Sequence, residues 1–160
     1  MICYRRATFA DLEALWDRSI AENPDDARYV RWKQQFIARN QNREAATFVA
    51  VADGVPVGEV TLDFFAAGYS GDRNLLADGK TTAYVTALRI REEQEGRGLA
   101  SALMHFMEHE AKAMGFARLT IGAEAAETRN LGIYLHWGYD RFVMAQEDDG
   151  TLVLFYAKDL

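Results

Sequence analysis

The stretch from residue 88 to residue 115 constrains the fold more than any other part of the chain. Leu88-Arg89-Ile90 closes a strand-like segment (82–90), a polar run follows (91–95), and Gly96-Arg97-Gly98-Leu99-Ala100 opens a new pattern. In that pattern Leu99, Leu103, Phe106, Met107, Ala111 and Met114 recur at helical spacing. Gly115 stands where a left-handed cap ends such a helix. A strand therefore feeds through a glycine loop into a long amphipathic helix. Glycines at this junction let backbone approach a ligand closely. The first N–H groups of a helix lack intrahelical acceptors, so they can donate to an anion that the macrodipole also favours. A pyrophosphate suits such a loop, and a plain tight turn suits the same Gly-x-Gly spacing. The dinucleotide-binding fingerprint is broken, because Ser101 takes the place of its third glycine, and the P-loop lysine is missing.

The rest of the chain mixes strand and helix signals. A short strand (3–7) leads to Thr8, an N-cap with Asp11 three residues on, and then to a helix whose apolar face is Leu12, Leu15, Trp16 and Ile20. Beyond Pro24 a second helix (26–40) turns Tyr29, Val30, Phe36 and Ile37 inward. Two strands (47–51 and 55–65) flank Asp53-Gly54, a hairpin signal. Residues 66–80 are rich in Gly, Asp, Asn and Ser and read as a long loop. After the long helix come a short strand (119–121), a helix (128–137) ending at Gly138, and a closing hairpin (139–144 and 151–156) around Asp148-Asp149-Gly150. No repeat or linker divides the 160 residues, which predicts one domain over 1–160.

Composition excludes several classes. An apolar fraction of 49 % with 26 % charged residues and two prolines fits a globular chain rather than a disordered one. A net charge of −6 argues against a phosphate-backbone binder. Cys3 is the only cysteine, so neither an internal disulfide nor a cysteine-rich zinc site can form within one chain, and no metal is expected. The opening residues run directly into polar sequence without a signal-like apolar stretch, and no stretch is long enough to span a membrane; a cytoplasmic location is expected by default.

With these features in view, the chain resembles the GNAT superfamily of acyl-coenzyme A dependent N-acetyltransferases. The family's loop reads Q/R-x-x-G-x-G/A after a central strand, and residues 95–100 match it except that Glu95 stands at the first position. A second landmark, a helix ending in tyrosine, three residues, glycine and an aromatic, reads Tyr134-Leu135-His136-Trp137-Gly138-Tyr139. The family's common Asn and Ala before that tyrosine are here Glu127 and Asn130. Tyr4-Arg5-Arg6-Ala7-Thr8 with Asp11-Leu12 looks like its opening strand and helix. The resemblance implies an α/β fold with a mixed, mostly antiparallel sheet of six to seven twisted strands, splayed at its centre, and about four helices. It implies that acetyl-coenzyme A is the acyl donor and that Gly96, Arg97, Gly98, Leu99 and Ala100 hold its pyrophosphate, with Glu95 and Asn130 beside it. The backbone of Leu88 and Ile90 would receive the pantetheine arm.

The implied chemistry is acetyl transfer to a primary amine of a small molecule or peptide by direct attack in a ternary complex. It needs a deprotonated nucleophile, a donor to the oxyanion and a proton for the departing thiolate. Tyr134 holds the position of the family's general acid; otherwise it is an aromatic on a core-facing stripe. For the base, Glu59 is named, with Asp63 on the same strand face and Tyr84 as further candidates; such carboxylates are otherwise solvated. His105 and His109, one turn apart, read as a solvated face. Acceptor recognition would fall to the first two helices, the 66–80 loop and the last hairpin. There Asp25, Asp26, Asp72, Asp78, Glu124, Asp148 and Asp149 suit a cationic amine such as a polyamine, aminoglycoside or lysine side chain, and equally suit solubility. Trp32, Phe65 and Tyr69 would form an aromatic wall or a core edge. A non-catalytic acyl-coenzyme A sensor of the same fold is the alternative function. A homodimer through edge strands is expected as compatible with the fold.

Overall fold

The computed structural model describes residues 1–66 and 75–160. Its strands are β1 (Ile2–Arg6), β2 (Ala45–Ala52), β3 (Val55–Asp63), β4 (Thr82–Ile90), β5 (Arg118–Glu124), β6 (Arg141–Asp148) and β7 (Thr151–Asp159). The helices are α1 (Phe9–Glu22), α2 (Arg28–Gln41), α3 (Leu99–Ala113) and α4 (Thr128–His136). The strands follow the order β1-β2-β3-β4-β5-β7-β6 in a mixed sheet in which β4 and β5 run parallel. The chain groups into two compact units, Met1–Thr61 with Ala87–Met107 and Leu62–Thr86 with Glu108–Leu160. Among the described residues no helix is long and apolar enough to cross a membrane.

In the first unit, β1 pairs antiparallel with β2 from Ile2↔Ala52 to Arg6↔Phe48. The chain then enters α1 through a reciprocal cap. The Asp11 amide donates to Thr8 Oγ1 at 3.2 Å, and the Thr8 amide donates to Asp11 Oδ2 at 2.7 Å. Arg5 adds a two-pronged pair with Asp11, one contact being Nη2 to Oδ1 at 3.0 Å. Leu12, Leu15 and Trp16 are buried as the α1 periodicity predicts. Helix α2 buries no residue completely. It leans on α1 through Phe36 against Trp16, 5.0 Å between ring centroids, and through Lys33 Nζ to Asp17 at 2.6 Å. Val30, expected inward, is 47 % exposed; it lies in a shallow groove with Phe9, Ile20 and Ile37 that no other described residue fills. Asn40 ties the end of α2 to β2, accepting from the Thr47 amide at 2.9 Å.

The second unit is built on β5, β7 and β6. Arg118↔Asp159 to Glu124↔Val153 pairs β5 with β7, and β6 pairs along the other edge of β7. Strand β7 is thus covered on both edges, and Phe155 and Ala157 are fully buried. Both final strands exceed their expected lengths, because ladder pairing carries charged residues such as Glu147 and Lys158 that pattern reading treats as turn. Tyr139, expected to begin β6, precedes that strand and is fully buried. The 66–80 loop is described only at its ends; Tyr69 and Asp72 lie outside the described residues. At its far end Asp78 closes the chain into β4, its Oδ1 accepting from the amides of Lys80, Thr81 and Thr82 at 2.8–2.9 Å.

Candidate active site

Strand β4 pairs with β5 from Thr82↔Arg118 to Val85↔Ile121, and β4 then runs on to Ile90. Ala87 sits at φ 53°, a left-handed residue that kinks the strand just past its last β5 partner. Leu88 and Ile90 lie beyond that kink, where backbone groups are not consumed by a β5 ladder. Arg91 is anchored to β3 by its amide, which donates to the Val57 carbonyl at 2.9 Å.

A single 3₁₀ turn, Glu92–Gln94, follows and consumes the next donors. The Gln94 amide bonds the Arg91 carbonyl at 2.8 Å, and the Glu95 amide bonds the Glu92 carbonyl at 3.1 Å. From Gly96 the picture changes. Among the described residues the amides of Gly96, Arg97, Gly98, Leu99, Ala100 and Ser101 have no acceptor, and helical bonding resumes with Ala102 to the Gly98 carbonyl at 3.0 Å. Gly96 (φ 74°) and Gly98 (φ 75°) are left-handed. A Cβ at either would meet nothing within 4 Å, so it is the backbone conformation that calls for glycine here, not space. The result is an open row of donors at the positive end of α3, the arrangement a phosphate ester needs. Glu95 is exposed and its amide is spent inside the turn, so any contribution must come from its side chain. The Arg97 guanidinium bonds Gln94 Oε1 at 2.9 Å.

Glu59 is 2 % exposed, which removes the solvated reading. Its Oε1 accepts two bonds from Arg89, from Nε at 2.8 Å and from Nη2. Arg89 in turn reaches Ser19 Oγ at 3.2 Å and lies 4.6 Å above the Trp16 ring. Glu59 Oε2 is buried with no partner. Burial pushes this carboxyl above the usual carboxylate range, while the Arg89 charge pulls it back. Glu59 and Arg89 line a cavity of about 340 Å³ together with Ser19, Tyr29 and Arg91.

In the second unit α4 carries Tyr134, half-buried, with its ring tilted against Trp137 at 6.0 Å. Among the described residues its hydroxyl makes no hydrogen bond. Burial and the Glu127 charge push the phenol upward, so it stays protonated at neutral pH. Asn130 Nδ2 is engaged by Glu127 Oε2 at 2.6 Å, so a cofactor contact from Asn130 would have to use its remaining groups or displace that bond. The other base candidates fall away. Asp63 accepts from the amides of Phe65 and Ala66 at 3.0 and 3.1 Å and ends β3, and Tyr84 is core, 6.0 Å from the Phe155 ring. His105 and His109 are exposed.

Arg89, Arg91 and Ser19, which line the cavity, and Trp16, which lies under Arg89, are residues that sequence reading did not single out for the site. One signal was available: Arg89 interrupts the apolar pair Leu88 and Ile90 and so faces the opposite side of β4. Its pairing with Glu59 depends on which residues of β3 and β4 lie opposite each other, which a single sequence does not display.

Together, the mixed sheet and the open donor row define an α/β protein with a row of unpartnered amides at the start of a helix. The acetyltransferase (GNAT) family model matches residues 9–139, and the chain belongs to that family. Solved structures share the fold at low identity. A ribosomal-protein-alanine N-acetyltransferase from Brucella melitensis is 20 % identical, with TM-score 0.71 over 99 % of each chain. The paia N-acetyltransferase from Thermoplasma acidophilum, in complex with coenzyme A, is 17 % identical, with TM-score 0.66 over 100 % of this chain and 99 % of that one. The yncA protein from Salmonella typhimurium, with its cofactor acetyl-CoA, is 15 % identical, with TM-score 0.71 over 100 % of this chain and 94 % of that one.

Proposed function

We propose that this chain is one acetyltransferase domain over residues 1–160 that moves an acetyl group from acetyl-coenzyme A to a primary amine. The observation that carries this reading is the row of unpartnered amides from Gly96 to Ser101, which supplies the donor set a pyrophosphate needs. The freed backbone of Leu88 and Ile90 supports a role in binding the pantetheine arm by strand-like hydrogen bonds.

In the reaction the amine nitrogen attacks the thioester carbonyl, a C–N bond forms, the C–S bond breaks, and the leaving thiolate takes a proton. Tyr134 is assigned as the donor of that proton, because its phenol stays protonated and its hydroxyl is uncommitted. Glu59 is assigned as the acceptor of the proton the amine loses. A carboxyl lifted by burial is a stronger base than a solvated one, and one of its oxygens is unpaired. A neutral amine and the thioester thus become an amide and a free thiol, with the proton given up by the amine balancing the one taken by sulfur.

Two measurements on the purified chain test this. Acetyl-coenzyme A should raise the melting temperature, and a panel of amines should contain members that release free thiol in stoichiometric amounts. No stabilisation by any coenzyme A species would overturn the proposal; stabilisation with no thiol release on any amine would leave a binding module.

A further inference from the structure

The cavity beside Glu59 holds charges of both signs, and most of them are already paired. Arg18 is engaged by Glu22 at 2.7 Å and by Glu93 at 3.3 Å, and Arg89 by Glu59 and Ser19. Two buried polar atoms in the lining have no partner. Glu59 Oε2 is buried and accepts no bond, and Arg91 Nε is buried and donates none. Among the described residues the Arg91 guanidinium has no hydrogen-bonding partner, and burial together with repulsion from Arg18 disfavours its charge more than the nearby Glu93 and Glu22 carboxylates favour it. An unpaired acceptor and an unpaired cation each carry a desolvation cost that a matching ligand group would remove.

We infer that the acceptor of this enzyme is a free α-amino acid, its amine directed to the Glu59 side of the cavity and its carboxylate to Arg91. This rests on the acetyltransferase reading and narrows its substrate class. A simple amine would satisfy Glu59 and leave Arg91 unpaired. A polyamine or aminoglycoside would set a second cation against Arg91. A peptide amino terminus brings an amide where the carboxylate belongs. The cavity, about 340 Å³, is at the small end of small-molecule sites, which run from about 300 to 1,000 Å³ and suits one residue rather than a chain.

The test compares matched ligands on the intact chain: free amino acids, the same amino acids as α-amides, and the amines left by removing the carboxylate. Binding is read by calorimetry without acetyl-coenzyme A, and thiol release is read with it. The amino acids are expected to bind and react at least about tenfold better than either counterpart. Arg91→Gln should erase that preference and leave the affinity for acetyl-coenzyme A unchanged. Equal binding of the three ligand types, or binding of none, overturns the inference, and because that comparison uses the unaltered chain it stands even if the variant misfolds. Failure of the acetyltransferase reading shows separately, as absence of stabilisation by acetyl-coenzyme A.

Discussion

The Tyr139 hydroxyl donates to Glu108 Oε1 at 2.9 Å in the buried interior of the second unit. Lys158 Nζ completes the carboxylate at 2.9 Å and lies 5.6 Å from the Tyr139 ring centroid. The Tyr139 amide also closes the end of α4 on the Tyr134 carbonyl at 3.0 Å, so the same residue anchors the helix that carries the proposed acid. Tyr139→Phe keeps the ring and strips one bond from a buried carboxylate. We expect a loss of about 1–3 kcal/mol in urea denaturation; an unchanged midpoint would show that the bond contributes nothing net.

Tyr134→Phe keeps the packing against Trp137 and removes only the hydroxyl. The expected outcome is a fall in kcat of about a hundredfold or more, with the dissociation constant of acetyl-coenzyme A unchanged. Equal kcat in the two proteins would exclude the phenol as proton donor.

Gly98→Ala tests the donor row. An alanine at φ 75° costs about 1–2 kcal/mol, and no neighbour stands in the way, so the strain should be relieved by the loop moving. Affinity for coenzyme A should drop about fivefold or more. Retained affinity would mean that the left-handed turn does not shape the phosphate site.

Glu59 must lose its proton before it can act as base, and burial raises the pH at which it does so. The kcat/KM profile should therefore rise with pH through a limb above the ordinary glutamate value of about 4.3. Glu59→Gln should abolish that limb along with most of the activity. A variant with the parental profile would move the base elsewhere.

Asp11 and Asp78 work in the opposite sense. Burial alone would raise both carboxyls, but hydrogen bonds from Arg5 and Thr8 to Asp11, and from residues 80–82 to Asp78, outweigh it and hold both below the usual range. Each binds its proton more readily in the unfolded chain, whose aspartates titrate near about 3.9. Their stabilisation is thus fully present above about pH 5 and lost as pH falls through 4 toward the folded values. Asp78→Asn, which cannot titrate, should lower stability at pH 7 and flatten its decline between about pH 5 and pH 3. An equal slope would show that Asp78 is not a source of the acid sensitivity.

The sequence by itself determined most of the elements and the glycine loop that opens α3. Periodicity, the Thr8 cap, the Asp53-Gly54 turn and the glycine loop are local signals, because each depends on residues within one or two helical turns of one another. That locality is why β4 was readable at its observed bounds and α3 with its Gly115 cap, and why the free amides from Gly96 onward were foreseeable from the loop alone. Tertiary structure decided what pairs with what. Glu59 looks like an isolated carboxylate until β3 and β4 set Arg89 against it, and it is the fold that gives Glu22 and Glu93 to Arg18 and leaves the Arg91 guanidinium without a hydrogen-bonding partner among the described residues. Val30 kept the right period for a core position yet stayed exposed, because periodicity states which residues share a face and not whether another element covers it. Charge pairing and desolvation are properties of residues far apart in the chain, so the chemistry of the site became legible only in three dimensions.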